Sequence, residues 1–446
     1  MAGGPVTYRA MTFPGPAYPF TFDANAETLA YLQDGFGRYG DIWSIPSDPE
    51  TASVVTGSLP TLVVNDPEAI HYVLTKRQPF FEKGAGFERV KMLLGDGLIV
   101  SDGAHWKQRR QMLQPAFTRP SVALMSSAIS ACIAERLPIW EEHADSGEPL
   151  DVSDEANRLG LRIILRAIFG EDLETLEARP GGNPFDLVVD TQERDLMFAM
   201  RFRALWPVVR EIAEERKQRG VSAQDFLGRY MAARTKGGEA LDMQGLVDEI
   251  MTVLVAGHET SAATIAWSWS LLARYPEVQA ALGEEIAAAD LDSEAPAPEA
   301  LRSLDLTPRV VHETLRLYPP VWMFTRRALE DDRIAGQEIP AGTQILITPF
   351  LLHRHPEYWP DPERFDPARI PASGVAPVRG AYIPFSSGPR RCAGDLFALN
   401  VITQHLAWVA ARYHLVSIAD PSTPPRLDPG VNLRSGDPIR LLVQRK

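Results

Sequence analysis

The sequence predicts a predominantly helical α+β fold, on three observations. Helical periodicity dominates from about residue 67 to 325, and the run from Val122 to Lys236 is broken only at Arg179-Pro-Gly-Gly-Asn-Pro184. Leu246 to Tyr275 is a long apolar stretch without proline, which at about 1.5 Å per residue would cross a whole domain as a helix. Runs of β character are short and lie toward the two ends, within about 40–66 and about 326–446.

In order along the chain, Ala26 to Tyr39 reads as a helix and Pro60 to Asn65 as a strand, with Asp66-Pro-Glu-Ala opening the next helix. Residues 80–103 are glycine-interrupted and read as a loop with short helices whose Phe87, Val90, Met92 and Leu93 need an apolar surface. His105 to Arg110 is helical up to about Pro115, and Trp106 and Arg110 share a face by i,i+4 spacing. Phe198, Met200, Phe202 and Trp206 form an aromatic stripe that reads first as core and second as an access surface. Pro276 to Ala289 is another helix, and 289–300 is an acidic alanine-proline connector. Thr307-Pro308 reads as N-cap and first residue of a helix that must stop before Pro319-Pro320. Asp332 to Pro349 carries the turns of a small antiparallel sheet, and Val431–Arg434 with Ile439–Val443 reads as a C-terminal hairpin.

A chain of 446 residues, 45% hydrophobic and 23% charged, can bury a large core, and length alone suggests two or three domains. A net charge of −13 argues against nucleic acid as a partner. With only Cys132 and Cys392 there is no disulfide framework, which suggests a reducing compartment, and Cys132 reads as a small core residue. No run of about 18 consecutive apolar residues occurs, so the expectation is a cytoplasmic protein without a membrane anchor.

Phe385-Ser-Ser-Gly388-Pro-Arg390-Arg-Cys392-Ala-Gly394 presents one cysteine on a glycine-punctuated, doubly basic loop just before a helix, Leu396 to Tyr413. The helix N-terminus and Arg390 and Arg391 favour a thiolate at Cys392. Zinc needs about four ligands and no second cysteine is near, whereas haem iron takes a single proximal thiolate. A space-filling cysteine and a nucleophilic cysteine served by a distant histidine are the competing readings.

Phe385, Gly388, Arg390, Cys392 and Gly394 match F-x-x-G-x-R-x-C-x-G, so the loop resembles the haem loop of the cytochrome P450 monooxygenases. The resemblance implies one domain over 1–446, haem b held through Cys392 as axial ligand, Arg390 on a propionate and Phe385 shielding the sulfur. Trp106/Arg110 then resembles the W-x-x-x-R element that contacts the propionates. In the long stretch, Ala256-Gly257-His258-Glu259-Thr260-Ser261 resembles the oxygen-binding motif, with Ala256 and Gly257 beside the cofactor and Glu259 and Thr260 as the acid-alcohol pair that delivers protons. Burying Glu259 and Thr260 in an apolar helix is costly unless they are hydrogen-bonded or line a wet cavity. Glu313 and Arg316, at i,i+3, would by default form an exposed pair, but they match E-x-x-R, and with Arg364 they are expected to form a structural network behind the loop.

By the same resemblance Val90, Val321, Trp322, Met323, Phe324 and Val431 face a substrate pocket, and Arg326, with Arg327 as competitor, reaches a propionate. The expected activity is oxidation by dioxygen of a small apolar compound such as a terpenoid, fatty acid or aromatic natural product. The chain ends about fifty residues after Cys392 with no flavin or nicotinamide domain, so electrons are expected from a separate ferredoxin and ferredoxin reductase docking on Lys107, Arg109 and Arg391. A peroxygenase or isomerase is the alternative enzyme, and a haem sensor or electron carrier the alternative outside catalysis. The acid-alcohol pair argues against both.

Overall fold

The computed structural model describes residues 11–20, 24–46, 60–190, 196–220, 224–289, 298–420 and 423–446. Its axis is the helix Met243–Arg274, 32 residues and roughly 48 Å long. Asp242 caps its start by accepting the Gly245 N–H at 2.7 Å, and Pro276 follows its end. Apolar side chains ring this helix because other helices pack all round it. On one side lies Val152–Phe169, so close that a Cβ on Gly257 would sit 2.6 Å from Ile164 Cδ1 and one on Gly160 3.2 Å from the Ala262 Cβ. On the other lie Leu306–Leu317 and Asp395–Arg412, the second leading away from Cys392.

The described strands form four small sheets. β1 (Ile42–Ile45), β2 (Thr61–Val64), β3 (Phe81–Lys83), β5 (Phe324–Ala328) and β8 (Gln344–Ile347) make a five-stranded sheet in the order β1-β2-β8-β5-β3. β2 and β8 run parallel and the other pairs antiparallel. β4 (Leu150–Asp151), β9 (Tyr413–Ser417) and β12 (Arg440–Arg445) form a second sheet. β6 (Asp332–Ile334) and β7 (Gln337–Ile339), and β10 (Leu427–Pro429) and β11 (Leu433–Ser435), form two hairpins.

Ala26–Tyr39 forms as expected, opened by Asn25 accepting the Thr28 N–H and closed at Gly40 with φ 81°. Three expectations need correction. The C-terminal hairpin is not 431–434 with 439–443: β11 turns back on β10, and β12 crosses to β9 and β4 to bury Leu441 and Val443. Within 332–349 only β6 and β7 pair with each other, through a turn at Ala335 and Gly336 with φ 47° and 79°, while β8 enters the large sheet. The helix expected to begin at Pro308, behind an N-cap at Thr307, starts at Leu306, and its cap comes from afar. Glu285 accepts the N–H groups of Asp305, Leu306 and Thr307 and the Thr307 hydroxyl. Of the connector 289–300, residues 290–297 lie outside the described residues.

Candidate active site

The cysteine loop is closed by its own backbone. The Cys392 N–H donates to the Phe385 carbonyl at 2.9 Å and the Arg391 N–H to Gly388 at 3.0 Å. Gly388 has φ 70°, and a Cβ there would lie 2.0 Å from the Leu74 carbonyl oxygen, so only glycine fits. Cys392 keeps exposed surface, yet enough protein surrounds it that burial pushes its thiol up. The Gly394 N–H, Arg110 and Arg391 pull the other way and do not overcome this. The thiolate expected from the basic loop alone is therefore not favoured by the chain itself, because the cost of desolvation exceeds those attractions.

Beside the loop three cations gather. Arg390 donates to the Ser101 carbonyl at 3.2 Å and to Asp102, and its guanidinium lies 4.4 Å over the Trp106 ring. Burial and Arg390 lower Arg326 to about 10. Burial, Arg390 and Arg326 hold Lys83 well below its ordinary value, against Asp102 and Glu249. Arg110, half-buried, lies within electrostatic reach of Cys392 and Asp395. Arg390 Nε is buried without a hydrogen-bond partner among the described residues. Lys83 and Asp102 were invisible as site residues, since each reads as an ordinary surface charge until β3 and the turn before Gly103–Leu113 bring them together. Of the two adjacent arginines, Arg326 turns inward, and Arg327 pairs with Glu82 at the surface.

Three hydroxyls of the long helix sit at i,i+4 spacing and bond back along it: Thr260 to the Ala256 carbonyl at 2.7 Å, Thr264 to Thr260 at 2.9 Å and Ser268 to Thr264 at 2.8 Å. Ala256 is exposed, whereas Gly257 meets Ile164, so its glycine has a packing cause. Glu259 accepts from Asn432 Nδ2 at 2.8 Å. Ser261 is buried, and its hydroxyl has no partner among the described residues.

Behind the loop, Glu313 and Arg316 are both 0% exposed and paired through two hydrogen bonds of 2.8 Å. Arg316 spends its remaining donors on the carbonyls of His353 (2.9 Å), Pro362 (2.7 Å) and Arg364 (3.1 Å), so all five are satisfied. Arg364 therefore joins through its backbone, and its side chain is exposed. The second guanidinium beside Glu313 is that of Arg369, at 3.6 Å. His353, lowered to about 3 by burial and by Arg316, is neutral and accepts the Ile383 N–H at 2.8 Å, which ties the network to the segment entering the cysteine loop.

The family model for cytochrome P450 matches residues 49–190 and 183–441. The chain belongs to the cytochrome P450 family. Among similar proteins, cyclooctat-9-en-7-ol 5-monooxygenase of Streptomyces melanosporofaciens is 31% identical, covering 92% of this chain and 93% of the relative. Pentalenene oxygenase of Streptomyces avermitilis is 30% identical, covering 94% of both. Protein LUTEIN DEFICIENT 5, chloroplastic, of Arabidopsis thaliana is 28% identical over 93% of this chain and 74% of its own length. The chain is thus a P450 monooxygenase of α+β fold, with haem b as its cofactor.

The residues of this P450 fit a haem. A cluster of Lys83, Arg326 and Arg390, with one orphaned guanidinium N–H, calls for anionic groups, which haem propionates would supply. On the substrate side the structure redistributes the expected residues. Trp322 is 1% exposed, and its indole packs into the core against Leu29 and Trp43 while donating to the Gly430 carbonyl at 2.9 Å, so it does not line a pocket. Met323 and Phe324 are half-buried against the neighbouring clusters. Val90 is half-buried, and Val321 and Val431 are exposed. Phe198 and Phe202 are core, whereas Met200 is exposed. On the basic face, Arg109 points inward to Glu249 at 3.8 Å and is withdrawn from any docking surface, while Lys107 and Arg391 remain open.

Proposed function

We propose that this P450 oxidises a terpenoid and that a ferredoxin, reduced by its own reductase, supplies the electrons. The observation that carries the substrate class is similarity of about 30% over more than nine-tenths of both chains to enzymes named for cyclooctat-9-en-7-ol and pentalenene oxidation. Exposed Lys107 and Arg391 beside the cysteine loop support an acidic electron donor. A soluble protein is part of the reading. The run Arg119–Ser146, by length and composition capable of spanning a membrane, spends Ile129, Ile133 and Trp140 on the core.

Haem held by a thiolate supplies reductive activation of dioxygen. In this reading Cys392 would hold the iron through its sulfur, and Trp106, Arg110, Lys83, Arg326 and Arg390 would bind and orient the propionates. Phe385, half-buried at the loop's entry, keeps water from the sulfur. Glu259 carries a proton toward the reacting oxygen and Thr260 holds it there. The Thr260 proton is engaged with the Ala256 carbonyl, which leaves the Oγ1 lone pairs as acceptors.

The test is a titration of the Soret band with terpene hydrocarbons and alcohols, fatty acids and aromatic compounds, followed by NADPH-driven turnover with ferredoxin and reductase. Terpenes should give saturable shifts and a product carrying one added oxygen. Shifts confined to fatty acids or aromatics would refute the substrate class. Product formed with peroxide but not with NADPH would favour a peroxygenase.

A further inference from the structure

The turn between β10 and β11 is held from both sides. Its register, with Pro429 opposite Leu433, leaves Gly430, Val431 and Asn432 as the tip. The Trp322 indole donates to the Gly430 carbonyl at 2.9 Å, and the Leu433 N–H donates to the Pro320 carbonyl at 2.9 Å. Trp267, on the long helix, donates to the Leu433 carbonyl at 3.4 Å and stacks on Tyr318 at 3.9 Å between centroids. The backbone on either side of Asn432 is therefore fixed to the helix and to segment 318–322. Asn432 itself is 8% exposed, and its amide donates to Glu259 Oε2 at 2.8 Å. Val431, its neighbour, is 76% exposed, so the buried side chain of the pair is the one that reaches the helix carboxylate.

A glutamate on a helix has three side-chain torsions to restrain before its carboxylate can pass a proton in one direction. We propose that Asn432 is the positioning residue for Glu259. Its amide N–H fixes Oε2 as an acceptor and orients the carboxyl group, so the C-terminal hairpin carries part of the proton-delivery site. The anchoring of Gly430 by Trp322 gives that buried indole its role, one step behind Asn432. This inference rests on the reading of Glu259 as the proton carrier.

The test uses the haem-loaded enzyme with its reducing partners. Asn432→Asp keeps the side chain's shape and replaces the donating amide by a second carboxylate facing the first. It is expected to lower product per NADPH by about tenfold, with a matching rise in hydrogen peroxide, while the substrate-induced Soret shift keeps its dissociation constant. A second readout needs no turnover: Asn432→Asp should lower the melting temperature when Glu259 is present and by less in a Glu259→Gln background, where no like charges meet. If Glu259→Gln uncouples turnover but Asn432→Asp does not, the positioning role is wrong and the reading of Glu259 stands. If Glu259→Gln leaves coupling unchanged, Glu259 is not the proton carrier and the inference falls with it. Additive melting shifts would show that the two side chains do not meet.

Discussion

Glu249 offers a test of how the start of the long helix is built. It is 1% exposed, accepts the Leu98 N–H at 3.0 Å, and is raised from 4.5 to about 7, mainly by burial. Asp248 adds to the rise, while Arg109 and Lys83 oppose it, and Tyr230 is packed nearby. An acid whose folded value lies above its unfolded value costs stability wherever it must ionise. The penalty is absent below about pH 4.5, grows as pH rises and is complete above about 7. The gap between 4.5 and about 7, at about 1.36 kcal/mol per pH unit, makes the full penalty about 3 kcal/mol. Glu249→Gln keeps an acceptor for Leu98 and removes the ionisation. Equilibrium urea unfolding of wild type and variant at pH 5 and pH 8 isolates the effect, because any fixed cost to Arg109 is common to both pH values. Relative to wild type the variant should gain on the order of 2 kcal/mol between pH 5 and pH 8. Parallel pH dependences would refute the reasoning.

Glu313→Ala should cost about 3 to 5 kcal/mol, read as a lower melting temperature and reduced haem content, because it leaves Arg316 buried without its carboxylate. Gly388→Ala should abolish the haem-loaded form in absorbance spectra, since its Cβ meets the Leu74 carbonyl at φ 70°. Gly394→Ala, with φ −95° and its nearest neighbour at 3.7 Å, should be tolerated. Arg326→Leu should speed haem transfer to an acceptor globin, whereas Arg327→Leu should not, because only Arg326 turns into the cation cluster. Thr260→Ala should lower product per NADPH and raise hydrogen peroxide. Unchanged coupling would point instead to the buried hydroxyl of Ser261, which Ser261→Ala tests directly.

Those features that local chemistry decides could be read from the sequence. The long helix announced itself because apolar residues on every face can only mean burial, and Ala26–Tyr39 because Asn25 and Gly40 cap it. The strand pairings of the C-terminal segment could not be read, because alternation specifies which face of β12 is buried and not which strand lies beside it. The start at Leu306 was hidden for a similar reason: its cap is Glu285 of the helix Pro276–Ala288, and no local pattern names a donor or acceptor twenty residues away.

In the site, the division falls between residues whose type is rare in its context and residues that are ordinary until the chain folds. Cys392, Glu259 and Thr260 stand out because a lone cysteine on a basic loop, or a carboxylate in an apolar helix, needs a reason. Lys83, Asp102 and Arg369 do not stand out, since charged residues on short elements are usually solvated. Trp322 shows the opposite failure. An aromatic beside a pocket segment looks like pocket lining, but backbone direction decides, and here the indole is directed into the core, where its N–H must find a carbonyl. That carbonyl belongs to Gly430, at the turn that presents Asn432 to Glu259. The same demand that withdrew Trp322 from the pocket thus ties the helix carboxylate to a hairpin 173 residues downstream.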